Sequence, residues 1–292
     1  MSCECLAVGR VYLDLIFAGA QTFPAPGEEV YARELAVLPG GGAFHVVAAL
    51  RRLGKTARLA GFVGADPVGA LLRELLRREG VDQETVLAEG HPRNVTVALS
   101  AGGERSFVSY CAPQDEGAWV RLLEQALGRH RPRHVHLAAL PGVARLSRVA
   151  RAAGCTVSLD PAGLAAADLA GGTADLLLPN RREATRLTGE EDPEEACRRL
   201  GERFAWVAVT LDREGAVGCH AGELVRMGAL AARVVDATAA GDCFDAGFLL
   251  GFLEGEPLQR CLALGNACAA GCLGGYGSEA APDRRTVEAR LR

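Results

Sequence analysis

An α/β fold with a central, mostly parallel sheet flanked by helices and a small β lid is predicted by three observations. Short apolar runs alternate with helical patterns, a glycine run opens an apolar helix, and two segments break the alternation. The short runs are 59–63, 135–137, 157–159, 176–178 and 207–211, all rich in Val and Leu. Val68, Leu71, Leu72, Leu75 and Leu76 mark one helix face, with Arg73, Glu74, Arg77 and Arg78 on the other, so that helix covers a sheet. Residues 11–37 and 94–110 read instead as extended segments with Gly, Pro and Asp turns, and these are the expected lid strands. No fixed-period repeat or low-complexity linker divides the chain, which predicts one α/β domain over 1–292.

The composition sets bounds on function. A chain of 292 residues, 49% hydrophobic and 23% charged, can bury a substantial core. Its net charge of -4 comes from 32 basic and 36 acidic residues without a basic block, which makes nucleic acid a poor partner. The 10 cysteines are dispersed, and the close pairs Cys3/Cys5 and Cys268/Cys272 lack zinc-site spacing. Glu4, Arg10 and Asp14 interrupt the apolar start, so no secretory signal is read there, and a reducing cytoplasm is expected. The uncharged stretch 261–278 holds five glycines and Asn266, which suits a buried helix followed by a loop better than a membrane span.

The richest local chemistry lies in Val234-Val-Asp-Ala-Thr-Ala-Ala-Gly-Asp242, read as a strand turning into a helix on which Phe244, Phe248 and Phe252 recur at helical spacing. Small residues at Ala239, Ala240 and Gly241 let backbone N–H groups approach an anion, and the helix adds orphan donors and the positive end of its dipole. Asp242 then falls in the first turn, placed to accept a proton from a hydroxyl. The plainer alternative is that Thr238 and Asp242 cap a helix. Gly40-Gly41-Gly42 precedes a helix carrying Val46, Val47, Leu50 and Leu53, where a ligand can meet backbone directly. Gly54-Lys55-Thr56 ends like a P-loop, but helix precedes it where a P-loop needs a strand. Asn180-Arg-Arg-Glu183 is either a capping box or a site where Glu183 holds a water or Mg²⁺ near phosphates. His134 and His136 share a strand face without an evident third ligand.

Taken together, these segments resemble the ribokinase-like, or PfkB, family of carbohydrate kinases along nearly the whole chain. The resemblance rests on Gly9-Arg-Val-Tyr-Leu-Asp14, the Gly40-Gly41 helix, Gly61-Phe-Val-Gly-Ala-Asp66-Pro-Val-Gly69, Asn180-Arg-Arg-Glu183, Thr210-Leu-Asp-Arg-Glu-Gly215 and the segment from Asp236 to Asp242. It implies an ATP-dependent kinase of a small sugar, with Asp242 as the base and the turn at 239–241 as the anion hole. By the same resemblance Asp14, Gly40, Gly41 and His45 contact the substrate. Asn180, Thr210, Asp212, Gly215 and the neighbourhood of Asn266 contact the nucleotide, and Glu183 serves the magnesium network. Asp236, Thr238 and the loop around Gly277 correspond to a monovalent cation site, such as one for K⁺.

Three positions depart from the family pattern: His45 where Asn is common, Asp212 where Gly is usual and Asp245 where Asn is frequent. His45 changes the donor and acceptor pattern offered to the substrate. A nucleoside kinase, a kinase of phosphorylated sugars using Arg93 and Arg105, and a catalytically silent sugar-binding protein therefore stay open beside the sugar kinase. Homodimerisation through the lid is also open, with no residue pointing to it.

Overall fold

The computed structural model describes residues 3–83, 85–88, 90, 94–101, 104–113, 115–172 and 174–292, with the side chains of Glu104 and Arg105 outside that description. The described strands are β1 Cys5–Val8, β2 Tyr12–Ala20, β3 Glu34–Gly40, β4 Ala57–Val63, β5 Thr85–Ala88, β6 Asn94–Ala101, β7 Glu104–Cys111, β8 His134–Leu137, β9 Thr156–Leu159, β10 Leu176–Leu177, β11 Trp206–Thr210, β12 Ala216–His220 and β13 Glu223–Met227. The helices are α1 Gly42–Arg52, α2 Pro67–Arg78, α3 Glu116–His130, α4 Val143–Ala152, α5 Arg181–Thr188, α6 Pro193–Gly201, α7 Ala240–Glu254, α8 Leu258–Cys272 and α9 Arg284–Arg290.

The larger sheet has nine strands in the order β13-β12-β11-β10-β9-β8-β1-β4-β5. It is parallel from β5 to β11, and β12 and β13 return antiparallel at one edge. Apolar runs, rather than alternating ones, form these strands because both faces are covered. Along β1, Cys5 and Ala7 enter one core cluster while Leu6 and Val8 enter the other. The first cluster is closed by Phe44 of α1, Leu76 of α2, Phe244 and Phe248 of α7 and Leu262 of α8. The second is closed by Trp119 of α3, Leu146 of α4, Ala184 of α5 and Cys197 of α6. Local chemistry starts the helices: Asp66 Oδ1 accepts from Gly69 N at 2.9 Å, and Pro67 occupies a first-turn position that needs no N–H.

A smaller sheet, ordered β3-β2-β6-β7, is built from the two segments read as extended, with β3 and β7 running past their expected ends to Gly40 and Cys111. Asn94 anchors it to the main body, donating from Nδ2 to Val11 O at 3.1 Å and accepting from Ala112 N at 3.2 Å. Because β2 begins just after β1 and β3 runs directly into α1, this sheet rises from the carboxyl edge of the larger one. Open parallel sheets bind ligands at that edge.

The segment 234–236, expected to be a strand, is not one. Val235 N and Asp236 N both donate to Leu273 O, the carbonyl just past α8, so this backbone is tied to a helix end and takes no ladder partner. Val234 is accordingly exposed.

Candidate active site

Four chain segments converge at the carboxyl edge of the parallel strands. A Cβ placed on Gly42, the first residue of α1, would lie 2.8 Å from Asp242 Oδ1, 3.7 Å from Asp160 Oδ2 and 3.7 Å from the Ala138 Cβ. The N-termini of α1 and α7 therefore meet the ends of β8 and β9 in one place. The α7 N-cap is Ala239, with no capping side chain, and Thr238 instead donates its hydroxyl to Asp236 Oδ1 at 2.6 Å. The capping alternative for Thr238 is thus set aside. Ala240 N donates to Ala237 O at 3.2 Å, whereas Gly241 N belongs to a helix start that no side chain caps, and a Cβ on Gly241 would meet no heavy atom within 4 Å. This turn faces open space.

Carboxylates crowd around that space. Burial pushes the Asp242 carboxyl well above its ordinary range, and the charges of Asp160 and Asp14 push it further. Asp160, which follows β9, is itself raised to about 7 by burial and by Glu183, although Ala162 N donates to its Oδ1 at 3.0 Å. Asp14 on β2 is raised to about 7 by burial and by Asp236. Asp245, one turn along α7, is raised by burial and then by Asp160 and Asp242. Asp160 and Asp242 keep part of their surface open to the cleft, whereas Asp14 and Asp245 are buried. Such mutual repulsion stores negative charge that an incoming cation would neutralise.

One end of this cleft is shaped by glycines. A Cβ on Gly40, at the end of β3, would fall 2.0 Å from Asp14 Oδ2. Gly41 adopts φ +99°, and a Cβ there would lie 2.3 Å from Arg10 O, so the chain can enter α1 at this point only without a side chain. His45, one turn into α1, is buried, and burial lowers its imidazole to about 4, so it is neutral at physiological pH. His45 Nδ1 lies 3.1 Å from Ser278 Oγ. Asp236 closes the same corner: Oδ1 accepts from Thr238 N at 3.0 Å and Oδ2 accepts from Gly277 N at 2.9 Å.

The other end is built on β10 and β11. Asn180 and Glu183 form a reciprocal capping box on α5, with Glu183 N donating to Asn180 Oδ1 at 3.0 Å and Asn180 N donating to Glu183 Oε2 at 2.9 Å. Thr210 N donates to Pro179 O at 3.0 Å, which brings Thr210 beside Asn180. Asp212 holds φ +52°, a left-handed conformation that explains why glycine suits this position. Gly215 has φ +95°, and a Cβ there would lie 2.1 Å from Met227 O. Asn266 Nδ2 donates to Gly228 O at 3.1 Å and Met227 O at 3.4 Å, so its amide fixes the strand end against which Gly215 packs.

The family model described as pfkB family carbohydrate kinase matches residues 3–284. The chain belongs to this family. Its members are ATP-dependent phosphotransferases, and the kinase described here is 33% identical over 305 residues to an ATP-dependent ribose-1-phosphate kinase of Halopiger xanaduensis, covering 98% of this chain and 97% of that one. It is 27% identical over 275 residues to a nucleoside kinase of Methanothermobacter thermautotrophicus, covering 91% and 88%. The Arabidopsis thaliana ribokinase complexed with ribose and ATP superposes with a TM-score of 0.81 over 100% of this chain and 99% of that one, at 24% identity, a likeness of fold.

In the kinase, Lys55 of the P-loop-like tripeptide is held by ion pairs to Glu4 at 3.1 Å and Glu254 at 3.0 Å, away from the carboxylate cluster. His134 and His136 bond sideways to Thr156 and Ser158 on β9, and burial lowers both below the ordinary range. They are sheet-interior groups, and among the described residues no cluster of His, Cys, Asp or Glu could by itself hold a metal ion. Arg93 lies outside the described residues, and of Arg105 only the backbone is described. Sequence reasoning missed Asp160, a single aspartate after a four-residue strand with no motif around it. Its only signal is its place at the carboxyl edge of a parallel strand.

Proposed function

We propose that the kinase transfers the γ-phosphoryl group of ATP to a hydroxyl of a small sugar or sugar-like acceptor, with Asp242 as general base. The observation that carries this reading is the juxtaposition of the Asp242 carboxylate with the uncapped turn at 239–241 and the glycine entrance of α1. A base beside an anion-stabilising helix N-terminus is what phosphoryl transfer requires, since alignment and charge neutralisation supply most of its rate. Asp14, Gly40, Gly41 and His45 line the acceptor end, and Asn180, Thr210, Asp212, Gly215 and Asn266 shape the nucleotide end. Asp242 takes the proton of the acceptor hydroxyl as the turn at 239–241 steadies the transferring group. The smaller sheet stands over this edge as a lid that excludes water.

Magnesium fits the residues present. Glu183 retains Oε1 outside the capping box, and Asp160 and Asp245 carry mutually repelling charge that a divalent ion would relieve. Magnesium is an ion that keeps several waters and phosphate oxygens as ligands, so one or two carboxylates suffice to hold it. When bound, it would neutralise phosphate charge. The corner of Asp236, Thr238 and Gly277 offers oxygen donors of the kind an alkali cation such as K⁺ takes, and N–H and O–H donors already engage both Asp236 carboxylate oxygens.

The setting is cytoplasmic, where all ten described cysteines stand as free thiols. Among the described residues no helix is long and apolar enough to cross a membrane. A homodimer through the smaller sheet would cover Leu35, Phe107, Val108 and Tyr110, which are 52–73% exposed.

The test is ADP release from ATP and Mg²⁺ with a panel of sugars, phosphosugars and nucleosides. Turnover of one acceptor supports the reading, and binding of sugar without turnover of any acceptor points to the silent protein instead. A pH profile adds a second check. Because Asp242 must be ionised and its carboxyl is raised, kcat/KM falls as pH drops through a limb lying above the ordinary carboxylate range, about tenfold per pH unit below it. Asp160→Asn removes the largest charge that raises Asp242, so the limb moves to lower pH. A limb unmoved by that substitution would refute the coupling.

A further inference from the structure

The segment 277–281, a short way past α8, ties two parts of the site together. Gly277 N donates to Asp236 Oδ2 at 2.9 Å, and Asp236 Oδ1 in turn accepts from the amide and hydroxyl of Thr238, which lead into the turn at 239–241. Ser278 Oγ lies 3.1 Å from Nδ1 of the buried His45. A Cβ on Gly277 would come within 3.6 Å of both His45 Cε1 and Leu38 Cδ1, so the segment packs where α1 meets β3. His45 Nε2 has no partner among the described residues, and the orphaned side-chain atoms sealed from solvent among them are Arg10 Nε, Trp119 Nε1 and His136 Nε2. Nε2 of His45 therefore keeps contact with solvent, and the Ser278 bond at the other nitrogen sets the orientation and tautomer in which it is presented.

What holds this segment lies at the far end of α1. Arg52 Nη1 donates to Ser278 O at 2.7 Å, to Ala281 O at 3.3 Å and to Glu279 O, so three carbonyls converge on one guanidinium nitrogen. Carbonyl oxygens aimed at one point repel each other unless a cation stands between them, and Arg52 supplies a charge that it cannot lose. Glu79 pairs with Nη2 at 3.3 Å and orients the guanidinium plane. Cys272 Sγ also donates to Gly277 O at 3.2 Å, but a thiol is a weak donor. Arg52 ends α1 about 10 Å along the helix from His45, and it reaches the site through the segment. We propose that Arg52 is a positioning residue of the kinase, which by holding the carbonyls of Ser278, Glu279 and Ala281 sets the Ser278 hydroxyl against His45 and the Gly277 amide against Asp236. The proposal rests on the kinase reading for what His45 and Asp236 do in turnover.

The test follows the intact chain, Arg52→Ala, Arg52→Lys, Ser278→Ala and the double variant Arg52→Ala/Ser278→Ala. In imidazole ¹⁵N spectra, with the His45 signal identified by its loss in His45→Gln, Arg52→Ala moves the Nδ1 resonance in the same direction as Ser278→Ala, and Arg52→Lys moves it less. Turnover is measured with Mg²⁺-ATP and the best acceptor among ribose, fructose and adenosine. Arg52→Ala lowers kcat/KM for that acceptor by about 10- to 100-fold and leaves the Kd for ATP within about twofold. Ser278→Ala raises the acceptor KM by about 3- to 10-fold, and in its background Arg52→Ala costs less than it does alone, because part of its effect runs through Ser278. Fully additive losses, an unmoved His45 signal in Arg52→Ala, or a lower melting temperature with acceptor kcat and KM unchanged each overturn the proposal and leave the kinase reading standing. If no acceptor is phosphorylated, the kinase reading falls and the His45 signal decides the proposal. If Arg52→Ala does not fold, Arg52→Lys takes its place in both measurements.

Discussion

Asp242→Asn is expected to lower kcat by about 10²- to 10⁴-fold, the usual cost of losing a general base, while ATP binding survives. The split follows from the geometry. The carboxylate faces the glycine entrance of α1 and the end of β9, whereas Asn180, Thr210 and Gly215, the residues proposed to bind the nucleotide, lie around β10 and β11. Asn is nearly isosteric, removes one carboxylate from a cluster in which Asp14 and Asp160 already repel it, and so should not unfold the chain. Turnover by stopped assay and ATP affinity by calorimetry separate the two effects. Near-normal kcat in this variant would end the assignment of Asp242, and a parallel loss of ATP affinity would recast it as a nucleotide-site residue.

What the sequence discloses of this site, and what it hides, depends on whether a residue's role is local. The glycine run at 40–42 and the turn at 239–242 are legible because the constraint lies in the backbone of the segment itself, which must be small to let a ligand or carboxylate approach. The strands at 135–137, 157–159 and 207–211 are legible because both faces are buried and the runs are unbroken. Asp160 is illegible for the opposite reason: its chemistry arises only when β9 is set between β8 and β10, and nothing beside it in the chain announces that. The misread strand at 234–236 shows the same limit. Val-Val has strand propensity, but its amides find Leu273 O across the molecule, and tertiary pairing outweighs propensity. At 180–183 the two readings do not exclude each other. The capping box forms through Oε2 and leaves Oε1 outside it, and the charge of Glu183 still raises Asp160 and Asp242.

Gly40→Ala and Gly41→Ala, neighbours in sequence, should fail in different ways. A methyl at 40 would sit 2.0 Å from Asp14 Oδ2, the far end of a side chain that can swing aside, so the backbone accommodates it and Asp14 does not keep its place. Displacing an acceptor-aligning group by about 1 Å costs on the order of 10²-fold, so kcat/KM for the acceptor drops by that amount with melting temperature and ATP affinity nearly unchanged. A methyl at 41 meets the Arg10 carbonyl at 2.3 Å from a backbone at φ +99°, and neither the obstruction nor the conformation can be relieved by a side-chain rotation. Gly41→Ala should therefore destabilise the fold by about 2 kcal/mol or more, read in denaturant unfolding before any assay of activity. Retention of full acceptor kcat/KM in Gly40→Ala would show that Asp14 is not part of the acceptor site. A Gly41→Ala protein as stable as the parent would show that the entrance to α1 has another conformation open to it.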